Sequence, residues 1–167
     1  MGRTAPDVIV MLESRGTREL EALSNPVGMD QFGREFHPSF LLVSAGQPVQ
    51  FTNSENEIHS VRVISENETP KTTVYNVVIA PSASHVHLLD KPGFYDVRCD
   101  FHDEMRASIY VAPTPYAVTS DSDGRFTFLA VEPGPYTLTV LGDGQPLLRP
   151  IDVTPPTTDV SALTQQH

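Results

Sequence analysis

The sequence predicts an all-β protein, a sandwich or barrel of short strands. Three observations carry that expectation. Apolar residues alternate with polar ones over short stretches, turn signals recur about every 8–12 residues, and 15 prolines and 10 glycines are spread along 167 residues. Such punctuation excludes long helices. The longest apolar runs, such as Phe40-Leu41-Leu42-Val43, are too short to span a bilayer, so no membrane span is expected. Eleven Lys and Arg against 21 Asp and Glu give a net charge of −10. Nucleic-acid binding calls for the opposite sign, and that class is excluded. The single cysteine, Cys99, excludes an internal disulfide and by itself says nothing about redox compartment. Met1-Gly2-Arg3-Thr4 leads directly into Ala5-Pro6, with no signal-peptide pattern and no Ser or Thr at position 6 to complete a myristoylation motif.

In chain order, Val8, Val10 and Leu12 alternate with Asp7, Ile9 and Met11, which predicts a strand buried on both faces. Residues 14–24 read as one short helix or loop, broken by Asn25-Pro26. Phe36 to Val43 and Pro48 to Thr52 read as strands joined by the turn Ala45-Gly46-Gln47. Val61, Val63 and Val74 to Ile79 continue the pattern around a polar loop, Ser65-Glu66-Asn67-Glu68. Pro92-Gly93 is a turn before the strand Phe94 to Cys99, and Ala107 to Val111 is another strand. Beyond Pro113 and Pro115 the turn signals Asp121-Ser122-Asp123-Gly124 and Pro133-Gly134 bracket Phe126 and Phe128. Tyr136, Leu138 and Val140 then alternate with threonines in a half-buried strand, and residues 154–167 form a loose Pro/Thr-rich tail.

The chemistry concentrates in Cys99-Asp100-Phe101-His102-Asp103-Glu104-Met105, which sets a thiol, an imidazole and a thioether within seven residues. With a second imidazole, these are the ligand types of a blue-copper site: two His and one Cys in a trigonal plane, with a weak axial Met. His59 is placed to supply the missing imidazole. On a strand it shares a face with Val61 and Val63, as Cys99 does with Tyr95 and Val97, so both would point inward at strand ends. Taken singly, Cys99 and Met105 read as core residues. A zinc site from the same His and Cys residues is disfavoured, because Met is a poor zinc ligand.

The Cys-x-x-His-x-x-Met run resembles the short ligand loop of amicyanins, within the cupredoxins. The segments 29–38, Gly46 to Asn53 and Pro92-Gly93-Phe94-Tyr95 resemble that superfamily's pattern too. Cys-x-x-His-Asp-x-Met followed by a second β module is similar to bacterial plastocyanin-like proteins of the methylamine-utilisation type. The resemblance implies a Greek-key cupredoxin β-sandwich over 26–112. It also implies one copper ion cycling between Cu(I) and Cu(II), with His59, Cys99 and His102 equatorial and Met105 axial. Ser60 stands where the family commonly carries Asn or Asp, and Glu104 where the narrower group often has an aromatic. Residues 113–160, with their Asp-Gly and Pro-Gly-x-Tyr turns, resemble the carboxypeptidase regulatory-like (transthyretin-like) β-sandwich. With 1–25 they would form one small module for docking or spacing, into which the cupredoxin is inserted; 161–167 would be a loose tail. A bacterial periplasmic or other extracytoplasmic location is implied, with a monomer sufficient to supply all four ligands.

The expected activity is one-electron transfer between partners, not an enzyme reaction. Copper delivery or storage and a metal-free structural module are the alternatives. His85 and His87, at i and i+2 on one strand face, could clip a second metal; His37 is a minor candidate, and His167 ends the chain. Asp100, Asp103 and Glu104 form an acidic rim in a chain already at −10, which predicts a redox partner with a basic docking face.

Overall fold

The computed structural model of the protein describes residues 8–16, 21, 23–142 and 144–154. Thirteen strands and no helix occupy them: β1 Ile9–Ser14, β2 Val27–Phe32, β3 Glu35–His37, β4 Phe40–Ser44, β5 Pro48–Asn53, β6 His59–Ser65, β7 Thr72–Ile79, β8 Ser84–Leu88, β9 Gly93–Arg98, β10 Arg106–Ala112, β11 Ala117–Thr119, β12 Gly134–Leu141 and β13 Leu147–Val153. They fall into two compact units. One is Glu21–Pro115; the other joins the described residues of Pro6–Leu20 to those of Tyr116–His167.

The first unit is a β-sandwich. A five-stranded sheet, β4-β10-β9-β6-β7, faces a four-stranded sheet, β3-β2-β5-β8. Pairing is antiparallel except for β10 with β4 and β2 with β5. Alternation drives this arrangement. β5 buries every second residue (Val49, Phe51, Asn53) and β9 buries Tyr95 and Val97, so each sheet turns one apolar face inward. Met29, Phe36 and Phe51 from one sheet pack with Val61, Val63, Val97 and Ile109 from the other in a single core. Each such side chain contributes roughly 1.5–3 kcal/mol by leaving water. Cys99 and Met105 belong to this core as well, so the candidate ligands lie on its wall.

The expected strand over Phe36 to Val43 is two strands. β3 pairs with β2 in the smaller sheet, and β4 pairs with β10 in the larger one. The chain crosses between sheets at Pro38-Ser39, where Pro38 has no N–H to continue a ladder. No helix forms among the described residues of 14–24. The expected loose tail, apart from Thr154, lies outside the described residues, as does His167.

In the second unit β1 is the middle of one sheet, ordered β11-β1-β12-β13. Its register runs from Ile9↔Leu141 to Ser14↔Tyr136. Val10, Leu12, Tyr136 and Leu138 form its core, with Phe126, Phe128 and Val131 packed against them. Ile9 and Met11 on the opposite face of β1 are buried too. β13 escaped the sequence reading because Leu148, Arg149 and Pro150 interrupt its alternation; proline is tolerated there because β13 is an edge strand.

β7 and β8 are the free edges of their sheets, and a stack of rings closes the sandwich between them. Tyr75 lies 6.3 Å from Phe51, 4.0 Å from His87 and 5.4 Å from His85, centroid to centroid. Burial, and the nearby His85, push the His87 imidazole below its ordinary value. His87 is therefore held neutral in the fold while the unfolded chain still binds a proton, between the lowered value and about 6.5. Stability should rise with pH through that window and level off above it. Urea unfolding at pH 5 and pH 7.5 should show a smaller gain for His87→Phe than for the parent; equal gains would remove His87 from the account.

Candidate metal centre

His59 opens β6, and Cys99 follows directly after β9, so both project from adjacent strands of the larger sheet at one end of the sandwich. His59 is fully buried and Cys99 is 3% exposed. His102 follows in the loop to β10, which is closed by two backbone bonds: the Met105 N–H donates to the His102 carbonyl (3.1 Å) and the Cys99 N–H to the Met105 carbonyl (3.3 Å). Those closures turn a seven-residue run into a fixed loop and bring His102 back over the thiol.

The three potential donor atoms form a small triangle. Cys99 Sγ is 3.8 Å from His59 Nδ1 and 3.7 Å from His102 Nδ1, and the two Nδ1 atoms are 3.1 Å apart. An ion bonded at about 2.0–2.1 Å to nitrogen and about 2.3 Å to sulfur, as in zinc sites, holds such donors roughly 3.3–3.8 Å apart. The two sulfur–nitrogen distances fall within that range and the nitrogen–nitrogen distance just below it, so the three donors are grouped to hold one metal ion. Among the described residues, this is the one group of three or more His, Cys, Asp or Glu placed to hold a metal.

Carboxylates on the segment before β6 lie beside both imidazoles, and one of them orients His59. His59 Nε2 lies 2.7 Å from Glu55 Oε2. An ionised carboxylate only accepts, so Nε2 carries the hydrogen and Nδ1 presents its lone pair to Cys99. Burial opposes ionisation of Glu55. The backbone N–H groups of Arg34 and Gly33 and the His59 ring outweigh it and hold the carboxyl below its ordinary value. Glu57 lies 3.5 Å from His102 Nε2. It is kept ionised chiefly by its hydrogen bonds from Arg34, at 2.9 and 3.1 Å. Buried Asn53 shapes the segment: its amide donates to the carbonyls of Glu57 (2.8 Å) and Ile79 (3.0 Å), and its oxygen accepts from the Glu55 N–H (3.0 Å).

Ser60 links β6 to the Cys99 loop. Its N–H points at Cys99 Sγ (3.4 Å), and its hydroxyl oxygen accepts from the Asp100 N–H (2.7 Å). Met105 is 1% exposed and lies in the same core as Cys99. Of the acidic rim, Asp100 is tied to Arg62 (2.7 Å) and Asn76 (2.9 Å), while Asp103 and Glu104 stand exposed. His37 is directed elsewhere, its Nε2 3.0 Å from the Phe32 carbonyl. The rings of His85 and His87 are packed on Tyr75. Glu55, Glu57 and Arg34 went unread in the sequence. The alternation Glu55-x-Glu57-x-His59 was the available signal, and nothing in it distinguishes a supporting carboxylate from a solvated one.

No family model matches the chain, and no curated protein matches it in sequence. Among solved structures it is similar to a purple cupredoxin from Nitrosopumilus maritimus, at 18% identity over 51% of this chain and 98% of that one, TM-score 0.45. It is also similar to a copper-containing nitrite reductase from Thermus scotoductus SA-01, at 24% identity over 60% of this chain and 25% of that one, TM-score 0.44. A reduced, Cu(I) form of a mutant amicyanin matches at 18% identity over 61% of this chain and 97% of that one, TM-score 0.46.

If Glu55 fixes the His59 tautomer, Glu55→Gln should weaken metal binding by about 10–100-fold, the range for such supporting partners. Competition against a chromophoric chelator measures this; unchanged affinity would show that the pair does not orient the ligand.

Proposed function

We propose that this chain is a type 1 copper protein that carries single electrons between redox partners, and is not itself an enzyme. In this reading His59, Cys99 and His102 bind the ion in a plane and Met105 is the weak axial donor. The observation that carries it is the buried sulfur within 3.8 Å of two imidazole nitrogens, one of them held in the metal-ready tautomer by a carboxylate. Copper is favoured over zinc because a soft thiolate, two borderline imidazoles and a thioether suit both copper oxidation states, and Met adds little for zinc. A donor set fixed in advance suits electron transfer, since little rearrangement then accompanies the change of charge.

The copper domain spans 26–112. The unit that joins the described residues of Pro6–Leu20 to those of Tyr116–His167 is a transthyretin-like module that spaces or docks it. The working location is extracytoplasmic in a bacterium, where a copper thiolate escapes the reducing cytoplasm. No helix among the described residues is long and apolar enough to cross a membrane.

Titrating metal-free protein with Cu(II) should produce an intense thiolate-to-copper charge-transfer band that saturates at one equivalent and is absent from Cys99→Ser. Binding without that band would favour copper delivery or storage, and no binding would return Cys99 and Met105 to the core. The exposed Asp103 and Glu104, in a chain at −10, fit a partner with a basic docking face. Electron-transfer on-rates with such a partner should fall steeply as salt rises; a flat dependence would remove electrostatic steering.

A further inference from the structure

Gln31 is an unusual residue to find where it is. It is fully buried at the end of β2 in the smaller sheet, next to an otherwise apolar core. Its Nε2 donates to the Ser60 carbonyl at 3.1 Å, across the sandwich on the strand that bears His59. Its Oε1 has no hydrogen-bond partner among the described residues. Burying an amide with one end unpaired is costly, so the N–H end serves a purpose that an apolar residue of similar size could not.

The ladder explains that purpose. In antiparallel pairing the N–H and C=O of one residue face the same neighbouring strand. Ser60 lies ahead of the first β6–β9 pair, Arg62↔Arg98, so it meets no β9 backbone on that side. Its N–H is aimed instead at Cys99 Sγ, 3.4 Å away. Its carbonyl would be left without a partner in the interior; Gln31 takes it. The carbonyl also fixes which way round the amide sits, because only the NH2 end can face an acceptor. On its own strand, Gln31 pairs with Asn53 on β5, and its carbonyl accepts from the Ser54 N–H at 3.1 Å. Gln31 is thereby anchored to the segment that carries Glu55 and Glu57.

We propose that Gln31 is a positioning residue for the metal centre: by holding the Ser60 peptide it keeps the Ser60 N–H on the Cys99 sulfur. The inference rests on the copper reading above. A hydrogen bond to the sulfur stabilises its negative charge and weakens its donation to Cu(II), which favours the reduced ion. Releasing Ser60 should therefore shift the balance toward the oxidised ion without removing any ligand.

The test is Gln31→Met, which conserves volume and removes the amide. Gln31→Asn, one methylene too short to reach Ser60, serves if the first variant does not fold. Each is loaded with copper, and the charge-transfer band and reduction potential are measured. The expected result is one bound copper as in the parent, the band moved to lower energy, and a potential lower by the equivalent of about a tenfold loss of preference for Cu(I), about 59 mV for a one-electron couple. Folded variants that bind one copper with the parent's band and potential would overturn the proposal, leaving Gln31 a packing residue. A parent protein with no charge-transfer band would instead overturn the copper reading, which separates the two failures.

Discussion

The site depends first on the contact between Ser60 and the Cys99 loop. Two strand ends in one sheet carry the buried donors, and no ladder bond joins them at that level, because β6 and β9 begin pairing only at Arg62↔Arg98. Ser60 bridges the gap with its N–H on the sulfur and its hydroxyl under the Asp100 amide. Each hydrogen bond of this kind contributes only about 1 kcal/mol net, but leaving the buried groups unpaired costs about 1–3 kcal/mol apiece. The penalty for opening, more than the gain on closing, keeps β6 and the loop together.

Charge arrangement follows from that closure. The two imidazole Nδ1 atoms lie side by side facing the sulfur, and each ring has a carboxylate near its other nitrogen. Glu55 and Glu57 are negative groups close to a place where a cation belongs, and Arg34 at the β2–β3 turn holds them together through its backbone and its guanidinium. The Arg34–Glu57 pair is about half exposed, so it adds little stability by itself. Its consequence is geometric: it fixes a carboxylate beside His102, the one donor that approaches the surface. On the core side, burial of Cys99 and Met105 keeps water away from the sulfur.

Much of this was legible in the sequence. The period-two pattern marked the strands at Pro48 to Thr52, Val74 to Ile79 and Tyr136 to Val140, because each alternates between a more buried and a more exposed face, even where, as in Val74 to Ile79, only Ile79 is fully buried. The strand phases of His59 and Cys99 foretold that both point inward, and His59, Cys99 and His102 do come together. The break at Pro38 was misread because Phe36, Phe40, Leu41 and Val43 are apolar on either side of it, although they serve different sheets. β13 was missed where Arg149 and Pro150 interrupt the pattern. Gln31 could not be found by local pattern, and the alternation of Glu55 and Glu57 with His59 did not set them apart from solvated carboxylates. Gln31 and Glu57 act on partners 29 and 45 positions away (Ser60 and His102), brought near by tertiary packing that local alternation leaves undetermined, while Glu55 reaches His59 only four positions on through the turn of its own segment.

The central claim is that the β scaffold sets the donor triangle before any metal arrives. The most direct measurement is backbone amide hydrogen exchange at Ser60, Cys99, Asp100 and Met105, in metal-free protein and after loading with Cu(I). The account predicts slow exchange at all four positions in both forms, since their acceptors are Cys99 Sγ, the Met105 carbonyl, Ser60 Oγ and the His102 carbonyl. Free exchange in the metal-free protein, with protection appearing only on loading, would mean that the metal builds the site and would contradict it.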